Sequence, residues 1–268
     1  MLILAMSSAV GAATRPPAVA GSFYPGGAAE LRAEVAALLA AAPPRATSRA
    51  LVVPHAGYAY SGAVAAAAFA TLDPEAVERV ILLGPSHHQS FGGGALPAPG
   101  IEAFATPLGA VELDRAALER LRGQPDFAGP ARAHEPEHCL EVELPYLQLA
   151  APRARIVPVL VGAGTTAETA RRMARALAPL LDERTVVVVS SDFTHHGERY
   201  RWAPLAGPDL GEQLLRLGRL TAGRLAAIDP AGFTRQIEVS GDTVCGARPA
   251  MILVELAARS FSGEGEVL

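Results

Sequence analysis

The hydrophobic positions of this chain fall into two alternating patterns. Short runs, nearly continuous in apolar and β-branched residues, occur at 49–55 (RALVVPH), 79–88 (RVILLGPSHH), 155–162 (RIVPVLVG) and 185–192 (TVVVVSSD). Runs of this kind suit strands covered on both faces. Around them, apolar residues recur at three- and four-residue spacing over 28–42, 61–72, 165–181 and 211–228, which predicts helices with one buried face. Strands alternating with helices predict an α/β fold with a mainly parallel sheet flanked by helices. No internal repeat or low-complexity linker interrupts the chain, and FGGGALPAPG at 91–100 reads as a loop, so a single domain is expected.

The polar residues that end these runs carry the chemistry. Pro54-His55 follows the first run, Ser86-His87-His88 the second, and Asp192, His195 and His196 the last, so five of the seven histidines follow three strand ends. Open α/β sheets bind ligands outside the carboxyl ends of their strands, so these side chains are expected around one pocket. His55 and His87, from separate strands, suit convergence on one metal ion. Cys245 lies in SGDTVCGARPAMILVELAA (240–258), where Asp242 or Thr243 is expected to cap a helix. The helix dipole there would favour a thiolate. Two imidazoles and a thiolate leave open positions on iron, copper or zinc. The alternative for Cys245 is a buried structural cysteine.

Asp192 and His195 are three apart and face the same way if the chain turns helically after Asp192. Asp192 then orients an imidazole or binds substrate, and His195 acts as acid, base or donor. Alternatively, Asp192 only caps a helix. His88 and His196, the outer members of their pairs, are expected at the solvent or pocket rim. HEPEH at 134–138 matches the zinc-protease spacing, but Pro136 interrupts the helix that motif needs. In EHCLEVELPYL (137–147), His138 and Glu141 are expected to share a helix face toward the pocket, Glu143 to be exposed and Cys139 to pack.

Composition narrows the partners. A net charge of −4 over 268 residues, with no basic run, argues against nucleic acid. No stretch is long and apolar enough to span a membrane. Two cysteines do not make a disulfide framework, which points to a reducing compartment, the cytoplasm. All basic residues are arginine, a coding bias rather than a functional signal. Residues 1–14 open on MLILAMSSAVGAA, which lacks the positive start of a secretory signal, and are expected to be an extension before a domain at 15–268.

Taken together, RPPAVAGSFYP (15–25), VPHAGYAYSG (53–62), LGPSHH (83–88), EHCLEVELPYL (137–147), IVPVLVG (156–162), VVVSSDFTHHGERY (187–200) and DTVCGARPA (242–250) resemble the Memo family, protein B of the AmmeMemoRadiSam system. The resemblance implies a fold like that of class III extradiol dioxygenases, with His55, His87 and Cys245 as metal ligands. It implies pocket roles for Asp192 and His195. His138 is grouped with these as a catalytic candidate, and His88, His196, Glu141 and Tyr58 as the substrate pocket. The metal would be iron or copper, with zinc as a further option. A thiolate where the ring-cleaving enzymes carry a carboxylate makes catechol cleavage an unsafe inference. Three functions follow: a metal-dependent redox or dioxygenase-like enzyme, a non-catalytic peptide- or protein-binding module, and a metal-assisted hydrolase. The resemblance also implies partnership with an AMMECR1-like protein and a radical-SAM protein, and a small-molecule or peptide ligand.

Overall fold

The computed structural model describes residues 13–268. Among them are eight strands: β1 (Ala13–Arg15), β2 (Ala50–Val53), β3 (Arg79–Pro85), β4 (Gly94–Ala95), β5 (Ile101–Thr106), β6 (Gly109–Glu112), β7 (Arg155–Val161) and β8 (Thr185–Ser190). Five of them form the main sheet, in the order β2-β8-β3-β7-β4. The first four run parallel and β4 closes the edge antiparallel to β7. All four apolar runs therefore became neighbouring strands. Val186 to Val189 are buried one after another, as a strand covered on both faces requires.

The helices are α1 (Ala28–Ala41), α2 (Tyr58–Phe69), α3 (Arg115–Arg122), α4 (Leu144–Ala150), α5 (Ala167–Leu177), α6 (Leu210–Ala226), α7 (Pro230–Ser240) and α8 (Ala247–Ser260). Helices α1, α2 and α4 pack together, with α2 against β2, while α8 lies across β2, β8 and β3 and against α5. Helix α8 is buried almost throughout from Ala247 to Ala257, which explains its long apolar run. The chain order β2, β3, β8 becomes the spatial order β2-β8-β3, so the end of β8 emerges between the ends of the other two.

Three expectations are corrected. A second sheet, β1-β5-β6, was not foreseen. Its strand β1 runs from Ala13 to Arg15, at the start of the expected domain. The rest of the expected extension, residues 1–12, lies outside the described residues. The segment 135–143 is turn rather than α-helix, and α4 starts only at Leu144 with Pro145 in its first turn. The cause is local: the carboxylate of Glu137 accepts from the backbone N–H of His138 and Cys139, an alternative to helical pairing. Residues 191–196 likewise have no helical turn, so Asp192 caps no helix.

Candidate metal centre

His55 stands two residues beyond β2. Its backbone N–H donates to Asp192 Oδ1 at 2.8 Å, and that of Ala56 does so at 3.2 Å. Asp192 thus ties the end of β8 to the loop after β2. The ring of His55 is 2 % exposed, and its Nδ1 lies 2.7 Å from Ser190 Oγ. Burial lowers its pKa to about 3, against an opposing effect of Asp192, so the imidazole is neutral near pH 7. A neutral imidazole is the form that ligates metals.

His87 follows β3 in the same way. Its backbone N–H donates to Glu137 Oε2 at 2.7 Å and its Nδ1 lies 2.8 Å from Glu137 Oε1. Burial of Glu137 opposes its charge, but hydrogen bonds from His138 and His87 outweigh it and hold the carboxyl well below the usual carboxylate range. An ionised carboxylate only accepts, so His87 carries a proton on Nδ1, which leaves Nε2 as the nitrogen free to face a metal. This is the arrangement by which carboxylates orient metal-binding histidines.

Cys245 comes last in the chain, just before Gly246, the N-cap of α8. Its loop is pinned to the end of β8. Thr243 Oγ1 accepts from the His195 N–H at 2.7 Å and donates to the His195 carbonyl at 2.7 Å. Gly246 packs so tightly on Ser190 and Ser191 that a β-carbon there would lie 2.9 Å from the Ser190 carbonyl oxygen and closer still to the Ser191 side chain. The result places Cys245 Sγ 3.3 Å from His55 Nε2. The expected dipole effect on the thiol is reversed. Burial, then the charge of Asp192, pushes its pKa up to about 12, and the hydrogen bond at Gly246 lowers it by less.

The donor set fits a metal. One ligand atom each from His55, His87 and Cys245 all lie within 4.8 Å of one another. Donors about 2.0–2.3 Å from a tetrahedral ion are roughly 3.5 Å apart, close to the separation of Sγ and Nε2. A cation that replaces the thiol proton would also offset the burial of the thiolate.

The other anticipated residues divide. His138 is at the centre: its ring lies 4.8 Å from that of His87, 5.5 Å from that of His55 and 4.9 Å from that of Phe23. Asp192 Oδ2 is 4.0 Å from His55 Nε2. His195 places Nδ1 2.9 Å from the Thr243 carbonyl, which can only accept, so its Nε2 is the basic nitrogen. His88 is exposed, and His196 Nε2 donates to the Leu205 carbonyl at 3.0 Å beside Trp202.

Glu141 and Tyr58 lie elsewhere than expected. Glu141 is fully buried and accepts from Arg15, from the backbone of Ala18 and Val19 and from the Tyr24 hydroxyl. It ties the N-terminal segment to the domain. Tyr58 is core, with its hydroxyl donating to the Val142 carbonyl at 2.8 Å. Glu143, expected at the surface, is 0 % exposed. The two histidines of HEPEH part company, because His134 is buried with Nε2 donating to Ala95 O. Cys139 packs in the core, its thiol on the Pro85 carbonyl. Ser190, Glu137, Glu143, Thr243 and Gly246 were not singled out as site residues. Their only signal was proximity to the motifs.

The sequence profile described as Memo-like protein matches residues 15–268. The chain is 34 % identical to the Protein memo-1 homolog of Caenorhabditis elegans over 253 residues, covering 91 % of this chain and 71 % of that protein. It is 32 % identical to Protein MEMO1 of Danio rerio over 89 % of this chain and 82 % of that protein. Protein MEMO1 of Homo sapiens is 30 % identical over 88 % of this chain and 81 % of that protein.

Proposed function

The chain belongs to the Memo-like family, and from that premise we propose that it is a metal-dependent redox protein whose ion is held by His55, His87 and Cys245. The observation that carries the reading is the 3.3 Å approach of a half-buried thiol to a neutral imidazole nitrogen at the carboxyl edge of the sheet. Iron or copper suits two imidazoles and a thiolate, and zinc suits the same donors without redox chemistry. When bound, such an ion supplies electron transfer and coordination positions open to a substrate.

The chain's own groups define the rest. Asp192 Oδ1 is occupied by two backbone N–H groups, while Oδ2 faces the ligand side and can orient a substrate donor. His195 offers a basic Nε2 that can take a proton. His138, stacked on His87, supplies a further imidazole at the same cluster. The Memo-family resemblance, which implies a fold like that of class III extradiol dioxygenases, supports this division into ligands and acid–base groups. The AmmeMemoRadiSam system name that goes with the Memo family supports action in the cytoplasm beside an AMMECR1-like protein and a radical-SAM protein, which co-purification from the native host tests. Among the described residues no helix is long and apolar enough to cross a membrane.

Anaerobic titration with Fe(II), Cu(I) and Zn(II), followed by metal quantification, tests the central reading. One ion per chain, lost with Cys245, is expected, and a chain that binds none of the three overturns it. A second reading, a binding module, is favoured by Tyr200, which is 46 % exposed with its ring 5.0 Å from that of His195. Peptide or small-molecule binding by metal-free protein, with no turnover on metal loading, is the outcome that selects it.

A further inference from the structure

Ser190 Oγ has three partners and one proton. It lies 2.7 Å from His55 Nδ1, 2.7 Å from the Cys139 carbonyl and 2.8 Å from Glu143 Oε1. A hydroxyl donates once and accepts twice. The Cys139 carbonyl can only accept, so the Ser190 proton belongs there. The other two contacts must then bring their own protons, from His55 Nδ1 and from Glu143 Oε1.

We propose that Glu143 is a neutral carboxylic acid which, through Ser190, holds His55 as the Nδ1–H tautomer and so keeps Nε2 unprotonated toward Cys245. It is a positioning residue for the centre, and this role rests on the metal-binding reading above. A second observation supports it independently. Glu143 Oε2 is buried with no hydrogen-bond partner among the described residues. An ionised carboxylate stranded with one bare oxygen costs far more than a neutral acid whose C=O is bare. Burial also pushes the Glu143 pKa well above the usual carboxylate range, by more than the Ser190 contact lowers it, and the nearby Asp192 adds to the rise.

The two histidine ligands are thus oriented by opposite means. His87 leans on the charged Glu137, whereas His55 leans on a neutral chain. The difference follows from position: a second carboxylate charge beside Asp192, in a fully buried site, would have no counter-charge. The chain is no proton wire, because the Ser190 proton points away from both His55 and Glu143.

Infrared difference spectra and imidazole ¹⁵N shifts of the metal-free protein test this without reference to activity. At pH 7 the wild type minus Glu143→Gln spectrum should show a carboxylic-acid C=O band at the high-frequency end of the acid range, as befits an oxygen with no donor. Glu143→Gln keeps a neutral N–H donor toward Ser190, so it should preserve the Nδ1–H signature of His55 in the ¹⁵N spectrum. Ser190→Ala should convert His55 to a mixture of tautomers and weaken metal binding by about tenfold, the scale for losing a ligand's supporting partner. Absence of the acid band, or an unchanged His55 tautomer in Ser190→Ala, overturns the proposal. If the band and tautomer appear as stated but wild type binds no metal, the positioning stands and the metal reading fails.

Discussion

Cys245 Sγ and His55 Nε2 are 3.3 Å apart, although 190 positions separate the two residues in the chain. The contact joins the loop after β2 to the start of α8 over the end of β8. If it is one side of a metal site, Cys245→Ser should weaken Fe(II) or Cu(I) binding by at least about tenfold, the low end even for disturbing a metal site's supporting groups. Thermal unfolding of the metal-free protein should change little. Unchanged affinity in an anaerobic titration would make the thiol structural.

Glu137→Gln replaces the acceptor that faces two N–H groups of His87, its backbone and Nδ1. An amide satisfies one and opposes the other. Metal affinity should fall about 10–100-fold, with His87 losing its single tautomer in ¹⁵N spectra. A variant that binds metal like wild type would show that His87 needs no orienting carboxylate.

Gly246→Ala tests close packing. The added methyl would collide with the Ser191 side chain and lie 2.9 Å from the Ser190 carbonyl, so the Cys245 loop must move outward. A destabilisation of about 1–3 kcal/mol is expected, together with weaker metal binding. Denaturant unfolding and metal titration of the same sample check both. A stable variant with full affinity would mean that the loop position is not critical.

Glu141→Ala strands the Arg15 guanidinium, whose ion pair with Glu141 is 2.9 Å long and almost fully buried. Breaking one side of such a pair costs about 3–5 kcal/mol. The loss should appear in denaturant unfolding, and the double substitution Arg15→Met with Glu141→Met should recover part of it.

His134 sets a pH dependence. Burial lowers its pKa from 6.5 to about 4. Below pH 6.5 the unfolded chain takes up a proton that the folded chain refuses until about pH 4. The stability contribution is therefore complete above that range and is lost as pH falls through it. His134→Gln, which keeps an N–H donor for Ala95, should flatten the acid slope by up to about 1.4 kcal/mol per pH unit. Part of the slope should remain, because His55 is shifted in the same direction. Equal slopes in the two proteins, from unfolding at several pH values, would contradict this.

The sequence alone determined the alternation of strands and helices and the histidines that follow three strand ends. Hydrophobic continuity and helical spacing are local signals, and β2, β3, β7 and β8 appeared where the apolar runs lie. The tertiary structure decided the rest. That β8 inserts between β2 and β3 is a matter of pairing between distant segments, and it is this order that brings Ser190 and Asp192 under His55. The clearest case is the trio Glu137, Glu141 and Glu143, three acids in seven positions of one loop, all buried. One is a charged anchor for His87, one is paired with Arg15, and one has the hydrogen-bond surroundings of a neutral acid. Their spacing in the chain carries none of this, because the charge state of a buried carboxyl follows from which donors the fold brings to it.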